Sequence, residues 1–416
     1  MPSYKRDLAM FQDRRFALLF VARTISMLGA AFAPVALAFG VLAIPGATPR
    51  TLSVVLAAEA IPMVLFMLVG GVIADRFPRN RVMMFGEVFN AVAWGSLAVM
   101  LLTGWTPLPV MAFAAALSGI AVALLYPALT GIIPEVVPAD RLQTANALLG
   151  LGANSARVAG LVLSGITVAV IGGGWALVVS ALMFAFSATL VAAMRLKPVE
   201  RAAGAGKSVL KDLRDGWDEF RSRQWLWVVV AQFSVLVMAV QAAHGVLGPV
   251  IAKESLGGPA AWSAVLTAEA VGMIVGVLVA LRLRPRRPIL VCTLLTPITA
   301  FPYLLIGFGA PLWLIIIGAF LMGISFDVFG VLWNTTMQRE VPAESLSRVS
   351  SYDALGSLMF GPIGLLLAGP VAVAFGAQTG MIACAVIVIL TAGVALLSPE
   401  VRNLTAKSPE PAEALV

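Results

Sequence analysis

The segment from Gly71 to Met83 reads Gly-Val-Ile-Ala-Asp-Arg-Phe-Pro-Arg-Asn-Arg-Val-Met and separates two long apolar stretches. The first stretch covers residues 52–74, and the second begins at Val82. Charged residues and a proline interrupt the apolar sequence between them, as is typical of a tight turn between two membrane-spanning helices. Because basic residues are enriched in cytoplasmic loops, this turn predicts a helical hairpin whose tip faces the cytoplasm.

The composition of the whole chain indicates a membrane protein. Of the 416 residues, 60% are hydrophobic and only 12% are charged, whereas soluble proteins carry about 25% charged residues. The mean hydropathy is +0.97. Since one span needs about 20 apolar residues, this length has room for about 12 spans.

The apolar segments predict an all-α polytopic membrane protein with 12 transmembrane helices in two six-helix halves, residues 1–194 and 225–398. The predicted spans are residues 15–43, 52–74, 82–103, 108–133, 143–171, 175–194, 225–251, 262–281, 289–308, 312–336, 350–374 and 378–397. Residues 195–224 predict a cytoplasmic linker with an amphipathic helix, either on the membrane surface or as a solvated connection. The proline-containing tail, residues 399–416, is predicted to be disordered.

Basic residues predict the orientation of the spans. With the N-terminus inside, 24 of the 28 lysines and arginines lie on the cytoplasmic side, and only Arg50 and Lys253 lie in outer loops. Both termini are therefore expected in the cytoplasm. The net charge of +7 is accounted for by this asymmetry and does not indicate a nucleic-acid partner. Abundant Ala, Gly and Arg with few Lys suggest a bacterial protein, which we place in the cytoplasmic membrane.

Enzyme and metal chemistry find little support in the sequence. The two cysteines, Cys292 and Cys384, lie far apart within apolar segments and predict buried thiols without a disulfide. A single histidine, His244, excludes a His-based metal cluster. Without a P-loop-type phosphate motif, a His/Cys metal set or a nucleophile–base pair, we expect neither an enzyme nor a cofactor.

The two halves of the sequence repeat each other. Matching segments recur in the same order at offsets of 204 to 210 residues, namely 11–16 with 220–225, 56–63 with 266–273, 78–82 with 285–289, and 137–142 with 341–346. The last register also places Gly160 on Gly364 and Gly165 on Gly369. This duplication predicts halves related by an axis along the membrane normal, with substrate bound between them near the midplane.

Ionisable side chains within spans are costly in hydrocarbon and are candidates for function. Glu59 and Glu269 occupy equivalent positions in the two halves, which makes them candidates for proton or substrate coupling. Alternatively, they are water-facing rim residues or partners of a nearby cation. We expect Glu87 and Asp353, near the cytoplasmic ends of their spans, to be structural.

Four further residues within spans have open roles. Arg23 either pairs with a carboxylate or holds an anionic substrate. Arg157 and Asp327 lie in the middle of their spans and are candidates to line the central cavity. His244 is either a pH-sensitive group or a hydrogen-bonded packing residue.

Glycines in spans 5 and 11, including Gly160, Gly165, Gly361 and Gly364, predict close helix contacts. Pro362, which follows Gly361, interrupts the backbone hydrogen bonds of the helix. These positions suit a hinge or sliding contact, and plain packing is the alternative.

The spacing Gly-x-x-x-Asp-Arg-x-x-Arg-x-Arg at residues 71–81 closely resembles the signature loop of the major facilitator superfamily of secondary transporters. Residues 134–147, 212–217 and 333–342 are similar to the branch that contains the enterobactin exporter and the macrolide-efflux permeases. Over about residues 10–400, the resemblance implies a monomeric major facilitator transporter in the bilayer. It implies proton-coupled export of hydrophobic or amphipathic small molecules, such as drugs or siderophores, by alternating access.

Several alternatives stay open. A lipid or lysolipid flippase or an importer would have the same fold, and a non-transporting receptor or scaffold would require no intramembrane carboxylate. Many proton antiporters carry an arginine in span 4 and Gly-Pro in span 5. Here residues 111–126 contain no arginine, and Leu161 follows Gly160. Proton coupling is thus implied by the family rather than by these two motifs.

The resemblance also implies that Gly71, Asp75, Arg76, Arg79 and Arg81 form a conformational latch. Asp75 and Arg79 would close the cytoplasmic side in the outward-open state. There Asp75 would face the start of span 11, where a helix N-terminus favours an anion.

Replacing Asp75 with alanine (Asp75→Ala) should shift the balance between inward-open and outward-open states without unfolding the protein, because a latch contact present in one state is lost. The measurement is the labelling of cysteines placed in the cytoplasmic and outer cavities. Unchanged labelling would count against the latch.

Overall fold

A computed structural model describes residues 9–138, 141–194 and 217–406. In these ranges, 12 helices are long and apolar enough to cross a membrane, which confirms the predicted number of spans. They are α1 (Arg14–Leu42), α2 (Pro49–Arg76), α3 (Arg79–Thr103), α4 (Leu108–Val136), α5 (Leu142–Ile171), α6 (Gly173–Ala192), α7 (Gln224–Leu256), α8 (Pro259–Ala280), α9 (Pro288–Gly307), α10 (Leu312–Glu340), α11 (Ala343–Leu358 and Gly361–Phe375) and α12 (Ala377–Ala395).

The helices pack as two six-helix halves, α1–α6 and α7–α12. In the first half, α2 packs on α4, α3 on α6, and α1 on both α5 and α6. The pairing of α2 with α4 recurs as the pairing of α8 with α10 in the second half. We call the end of the bundle where α1 begins and α12 ends the terminal end, and the opposite end the distal end.

Serine hydroxyls bind α1 to its neighbours inside the first half. Ser164 donates to the carbonyl of Phe32 at 2.9 Å, and Ser180 donates to that of Gly29 at 2.9 Å. Ser187 makes the same kind of bond, 3.1 Å long, at the terminal end of α1. All three serines are buried. Since apolar side chains gain little by leaving lipid for protein, such buried hydrogen bonds and close packing hold membrane helices together.

Glycines bring the backbones of α2 and α4, and of α8 and α10, into direct contact. Gly119 of α4 packs on the carbonyl of Glu59, and Gly323 of α10 packs on the carbonyl of Glu269. A Cβ atom at either glycine would overlap that carbonyl group. The same backbone contact therefore sets the position of both intramembrane glutamates.

Three spans depart from regular α-helix. α7 contains a π-helical turn at Ala243–Leu247, and α9 contains a 3₁₀ turn at Thr296–Ala300. α11 is interrupted at residues 359–360, immediately before Gly361, where the sequence predicts a break. π-turns often mark functional sites because they change the direction in which side chains point.

The linker and the tail are described in part. Residues 195–216, which hold most of the predicted amphipathic helix, lie outside the described residues. Residues 217–222 are helical, and Phe220 is buried against Tyr352 of α11. The tail differs from the sequence prediction at its start, because Pro399–Asn403 forms a short helix. Glu400 of that helix accepts a hydrogen bond of 2.9 Å from the backbone N–H of Trp225. This contact with α7 holds the short helix in place.

The cysteines are as the sequence predicts. Cys292 and Cys384 are both buried and both free. A variant without cysteine can therefore be made without removing a disulfide.

Substituting alanine for Gly119 or Gly323 should destabilise the protein, because each added methyl group forces two helix backbones apart. Overpacking of this kind costs about 1–3 kcal/mol. The measurement is the melting temperature in detergent. Gly393→Ala in α12 is the control, since a Cβ atom there meets no atom within 4 Å. Equal melting temperatures for all three variants would contradict the packing described here.

Candidate functional site: a charged cavity between the halves

A cavity of about 410 Å³ lies between the two halves. Its walls come from α1, α2 and α5 of the first half and from α7, α8 and α11 of the second. Four predicted residues line it together, Glu59, Arg157, His244 and Glu269. The remaining lining is mostly apolar and includes Leu161, Trp262 and Leu365, among others. The cavity thus combines a mostly apolar lining with four ionisable side chains.

On the first-half side, the carboxyl group of Glu59 belongs to a chain of three polar side chains. Ser118 Oγ of α4 lies 3.2 Å from Glu59 Oε1 and 2.9 Å from Asn90 Oδ1 of α3. Ser118 and Asn90 are both buried. The serine hydroxyl therefore links the cavity glutamate to an amide deeper in the first half.

On the second-half side, the partner of the glutamate is a histidine. His244 Nε2 lies 3.6 Å from Glu269 Oε2, and the same nitrogen lies 3.2 Å from the hydroxyl of the buried Tyr303. His244 belongs to the π-helical turn of α7. The imidazole also meets the ring of Trp262 edge to face, with centroids 6.0 Å apart. The carboxyl group of Glu269 and the hydroxyl of Tyr303 thus both contact the same imidazole nitrogen.

Two other predicted residues lie outside this cavity. Asp327 of α10 interacts electrostatically with Arg157, so that it neighbours the cavity without lining it. Arg23 of α1 lies near Tyr126 of α4. Its Nε atom is buried and has no hydrogen-bond partner among the described residues. The structure therefore brings together four of the six coupling candidates and separates Arg23 from them.

The halves meet beside the cavity, towards the distal end, through two equivalent contacts. Ser53 of α2 packs on Gly369 of α11, and Ser263 of α8 packs on Gly165 of α5. The hydroxyl of Ser263 also donates to the carbonyl of Leu161 across the interface. Because Ser53 and Ser263 are at offset 210, and the two glycines are at offset 204, the interface repeats the internal duplication.

The comparisons with known proteins agree with this architecture. The profile of the Major Facilitator Superfamily matches residues 16–359. The chain belongs to this superfamily. It is accordingly a multi-pass membrane transporter and not an enzyme.

Individual relatives include proteins named as drug and lipid transporters. The multidrug efflux pump Tap of Mycolicibacterium fortuitum is 25% identical over 366 residues, which cover 85% of this chain and 88% of that protein. The lysophospholipid transporter LplT of Photorhabdus laumondii is 33% identical over 147 residues, 34% of each chain. The crystal structure of the nucleoside transporter NupG superposes with a TM-score of 0.76 at 13% identity, covering 92% of this chain and 98% of that one. That last likeness concerns the fold alone.

The signature loop of the superfamily lies at the terminal end, between α2 and α3. Arg79 donates to the carbonyl of Gly131 and lies 3.4 Å from Glu135, both of α4. It therefore binds α3 to α4 within the first half. Arg76 and Arg81 are exposed, and a Cβ atom at Gly71 would meet no atom within 4 Å.

Asp75, the remaining residue of that loop, belongs to α2, but its side chain lies outside what the structure describes. Whether it contacts α11 stays a prediction.

The predicted hinge glycines take different positions. Gly160 packs on α1, against the carbonyl of Leu28, and Gly364 packs on the backbone of Met238 in α7. Gly361 makes only ordinary contact with Gln241, and Pro362 follows the interruption of α11. Gly165, in contrast, lies at the interface between the halves. Only that last position, with its equivalent in α11, joins the two halves directly.

Sequence reasoning missed Ser118, which contacts Glu59, and the polar groups one step further away, Asn90 and Tyr303. It also missed Gly119 and Gly323, although a signal was present. Residues 117–120 read Leu-Ser-Gly-Ile and residues 321–324 read Leu-Met-Gly-Ile, at offset 204. The polar partners carry no such repeat, since the positions of Ser118 and Met322 differ in chemistry.

Proposed function

We propose that this transporter exports hydrophobic or amphipathic small molecules in exchange for protons, by alternating access to the central cavity. The observation that carries the proposal is the placement of Glu59 and Glu269 in one cavity between the halves. Ionisable groups at membrane depth are costly unless a transport pathway or a partner requires them.

The size and the lining of the cavity support a drug-sized, largely apolar substrate. A volume of about 410 Å³ lies within the usual range of small-molecule sites, roughly 300–1,000 Å³. Apolar side chains from both halves would contact the body of such a molecule. Arg157, His244 and the two glutamates would select among its polar groups. The Tap relatives named as multidrug efflux pumps favour a substrate of this kind.

The chain from Glu59 to Asn90 can serve both protonation states of the glutamate. A serine hydroxyl has one hydrogen to donate. When Ser118 donates to Asn90 Oδ1, a protonated Glu59 donates to Ser118 Oγ. When Glu59 is ionised, Ser118 rotates to donate to it, and Asn90 presents its amide N–H₂ instead. Ser118 thus stays hydrogen-bonded to Glu59 in both protonation states.

His244 supports the same role for Glu269 in the second half. Its Nε2 atom accepts a hydrogen bond from the Tyr303 hydroxyl when the nitrogen is unprotonated. When it is protonated, the imidazole would form an ion pair with Glu269 Oε2, which lies 3.6 Å away. A proton can therefore pass between the imidazole and the carboxylate over a short path. The two halves offer two proton sites of different chemistry around one substrate space.

The distribution of basic residues indicates how the protein is oriented in the membrane, and the packing between the halves indicates its conformational state. The positive-inside asymmetry supports a cytoplasmic location for the terminal end. In the structure the halves pack together on the distal side of the cavity, through the contacts of Ser53 and Ser263. Lys253, near the distal end of α7, also donates to the carbonyl of Leu42 in α1. We assign this state as inward-facing, in a bacterial cytoplasmic membrane.

In proteoliposomes loaded with a pH-sensitive dye, we impose a proton gradient across the membrane. Addition of a transported drug should then move protons across the membrane down that gradient. We expect Glu59→Gln or Glu269→Gln to abolish drug-dependent proton movement, because glutamine keeps the size of the side chain but cannot ionise. A panel of hydrophobic dyes and drugs supplies the substrates. Loss in one variant only would identify the coupling carboxylate.

The matched control is Glu254→Gln, because Glu254 is exposed in the distal part of α7 and lies outside the cavity. It should transport like the wild type. If drug flux is unchanged by the proton gradient and by both cavity substitutions, proton coupling through Glu59 and Glu269 is rejected.

Lysophospholipid is the second candidate substrate, because the similarity to LplT is higher in identity, although it covers 34% of the chain. The same vesicles distinguish the two. Movement of a fluorescent lysophospholipid between leaflets, with no flux of any drug in the panel, would favour the lipid. Drug flux without lipid movement would favour the exporter.

A further inference from the structure

A second cavity, of about 240 Å³, lies inside the second half between α7, α10 and α11. It shares no described lining residue with the central cavity. Its walls belong to the part of α7 near residue 230 and the part of α11 near residue 354, which places it towards the terminal end. The function proposed above does not use it.

Aromatic rings form one wall of this cavity. Phe233 and Phe329 stack with centroids 5.3 Å apart and an interplanar angle of 23°. Phe329 and Trp333, one helical turn apart on α10, continue the stack at 6.4 Å and 20°. Phe326 tilts against Phe233 at 5.7 Å. The faces of such rings carry partial negative charge and attract cations.

Asp353 is the one charged residue among the described lining of this cavity. Its carboxylate accepts hydrogen bonds from the indole N–H of Trp333 at 3.3 Å and from the hydroxyl of Ser357 at 3.4 Å. These two donors are neutral, and they orient the carboxylate without balancing its charge. A carboxylate has about four acceptor positions, so that capacity remains for a ligand.

We propose that this second cavity binds an organic cation with an apolar or aromatic body. The stacked rings would contact the body and the flank of the cationic group, and Asp353 would supply the opposite charge. Cation–π attraction is strongest where water is excluded, and a buried carboxylate gains most from a paired cation. An anion would be repelled both by the negative ring faces and by the carboxylate of Asp353. A neutral ligand would leave the carboxylate without a counter-charge.

The site goes beyond the proposed transport function, because binding to it requires no proton gradient and no flux. Its ligand class, a lipophilic monocation, is narrower than the hydrophobic molecules proposed for the central cavity. A failed transport assay would therefore leave this proposal standing, and a failed binding assay here would leave proton-coupled export standing.

The test is equilibrium binding of radiolabelled benzyltrimethylammonium to the full chain in nanodiscs, without a gradient. We expect Asp353→Asn to weaken binding about tenfold or more, as the loss of a charge-assisted contact does. Asparagine retains an oxygen that accepts from Trp333, so the variant should fold. Asp353→Glu restores the charge and should recover most of the affinity. Phe329→Leu, which removes a ring but keeps an apolar side chain, should weaken binding by a smaller factor.

Glu254→Gln is the matched control, since it neutralises an exposed carboxylate outside both cavities, and it should bind like the wild type. Binding that Glu59→Gln abolishes and Asp353→Asn preserves would place the cation in the central cavity and overturn the proposal. No binding by the wild type would overturn it too. Equal losses in Asp353→Asn and Asp353→Glu, with a lowered melting temperature in both, would assign Asp353 a structural role instead.

Discussion

Hydrocarbon cannot solvate a charge, and this constraint determines where the ionisable residues of the protein lie. Within a bundle of 12 apolar helices, an isolated carboxylate in contact with lipid would be costly. Glu59, Arg157, His244 and Glu269 instead share one cavity between the halves. Each glutamate has a polar partner from its own half. The interface between the halves therefore contains the four ionisable side chains of the cavity. It also contains the helix surfaces that must separate for transport.

The two halves resemble each other more in their backbone contacts than in the chemistry of their side chains. Gly119 and Gly323 make the same contact with the carbonyls of the two glutamates, and the distal interface repeats as Ser53 on Gly369 and Ser263 on Gly165. These contacts form a frame with approximate two-fold symmetry.

The surroundings of the two glutamates differ within that frame. Glu59 is linked through Ser118 to Asn90, whereas Glu269 lies beside His244 and Tyr303. The two halves therefore share an approximately symmetric scaffold but give their glutamates different polar partners.

Most of the fold could be predicted from the sequence because the bilayer imposes a simple rule on span length and hydropathy. The number of spans and the duplication both followed from apolar length and repeated motifs. The break before Gly361 followed from the effect of proline on a helix. The short helix that begins at Pro399 was missed, because its order depends on a contact between Glu400 and Trp225, far apart in sequence.

The site was predicted less completely. Charged residues inside spans are visible in any apolar sequence, so Glu59, Arg157, His244 and Glu269 were recognised as candidates. Their grouping was not, since it depends on which face of each helix points inward. The π-turn that contains His244 leaves no mark in composition. Ser118 and Tyr303 look like ordinary members of a span until the neighbouring helices are placed.

The central claim is that the halves close on the distal side of the cavity in this state and rock about the cavity during transport. Spin labels at Trp105 and Phe308, exposed near the distal ends of α3 and α9, would report the distal opening in a variant without Cys292 and Cys384. A second pair, at Arg81 and Arg287, would report the terminal opening.

Electron–electron distance measurements on both pairs, with and without a transported drug and at two pH values, test the claim directly. Rocking predicts that the distal distance lengthens as the terminal distance shortens. Gly369→Val, which places side-chain atoms against Ser53, should favour the distal-open population. Distances that stay constant under every condition, or that lengthen together, would contradict the account.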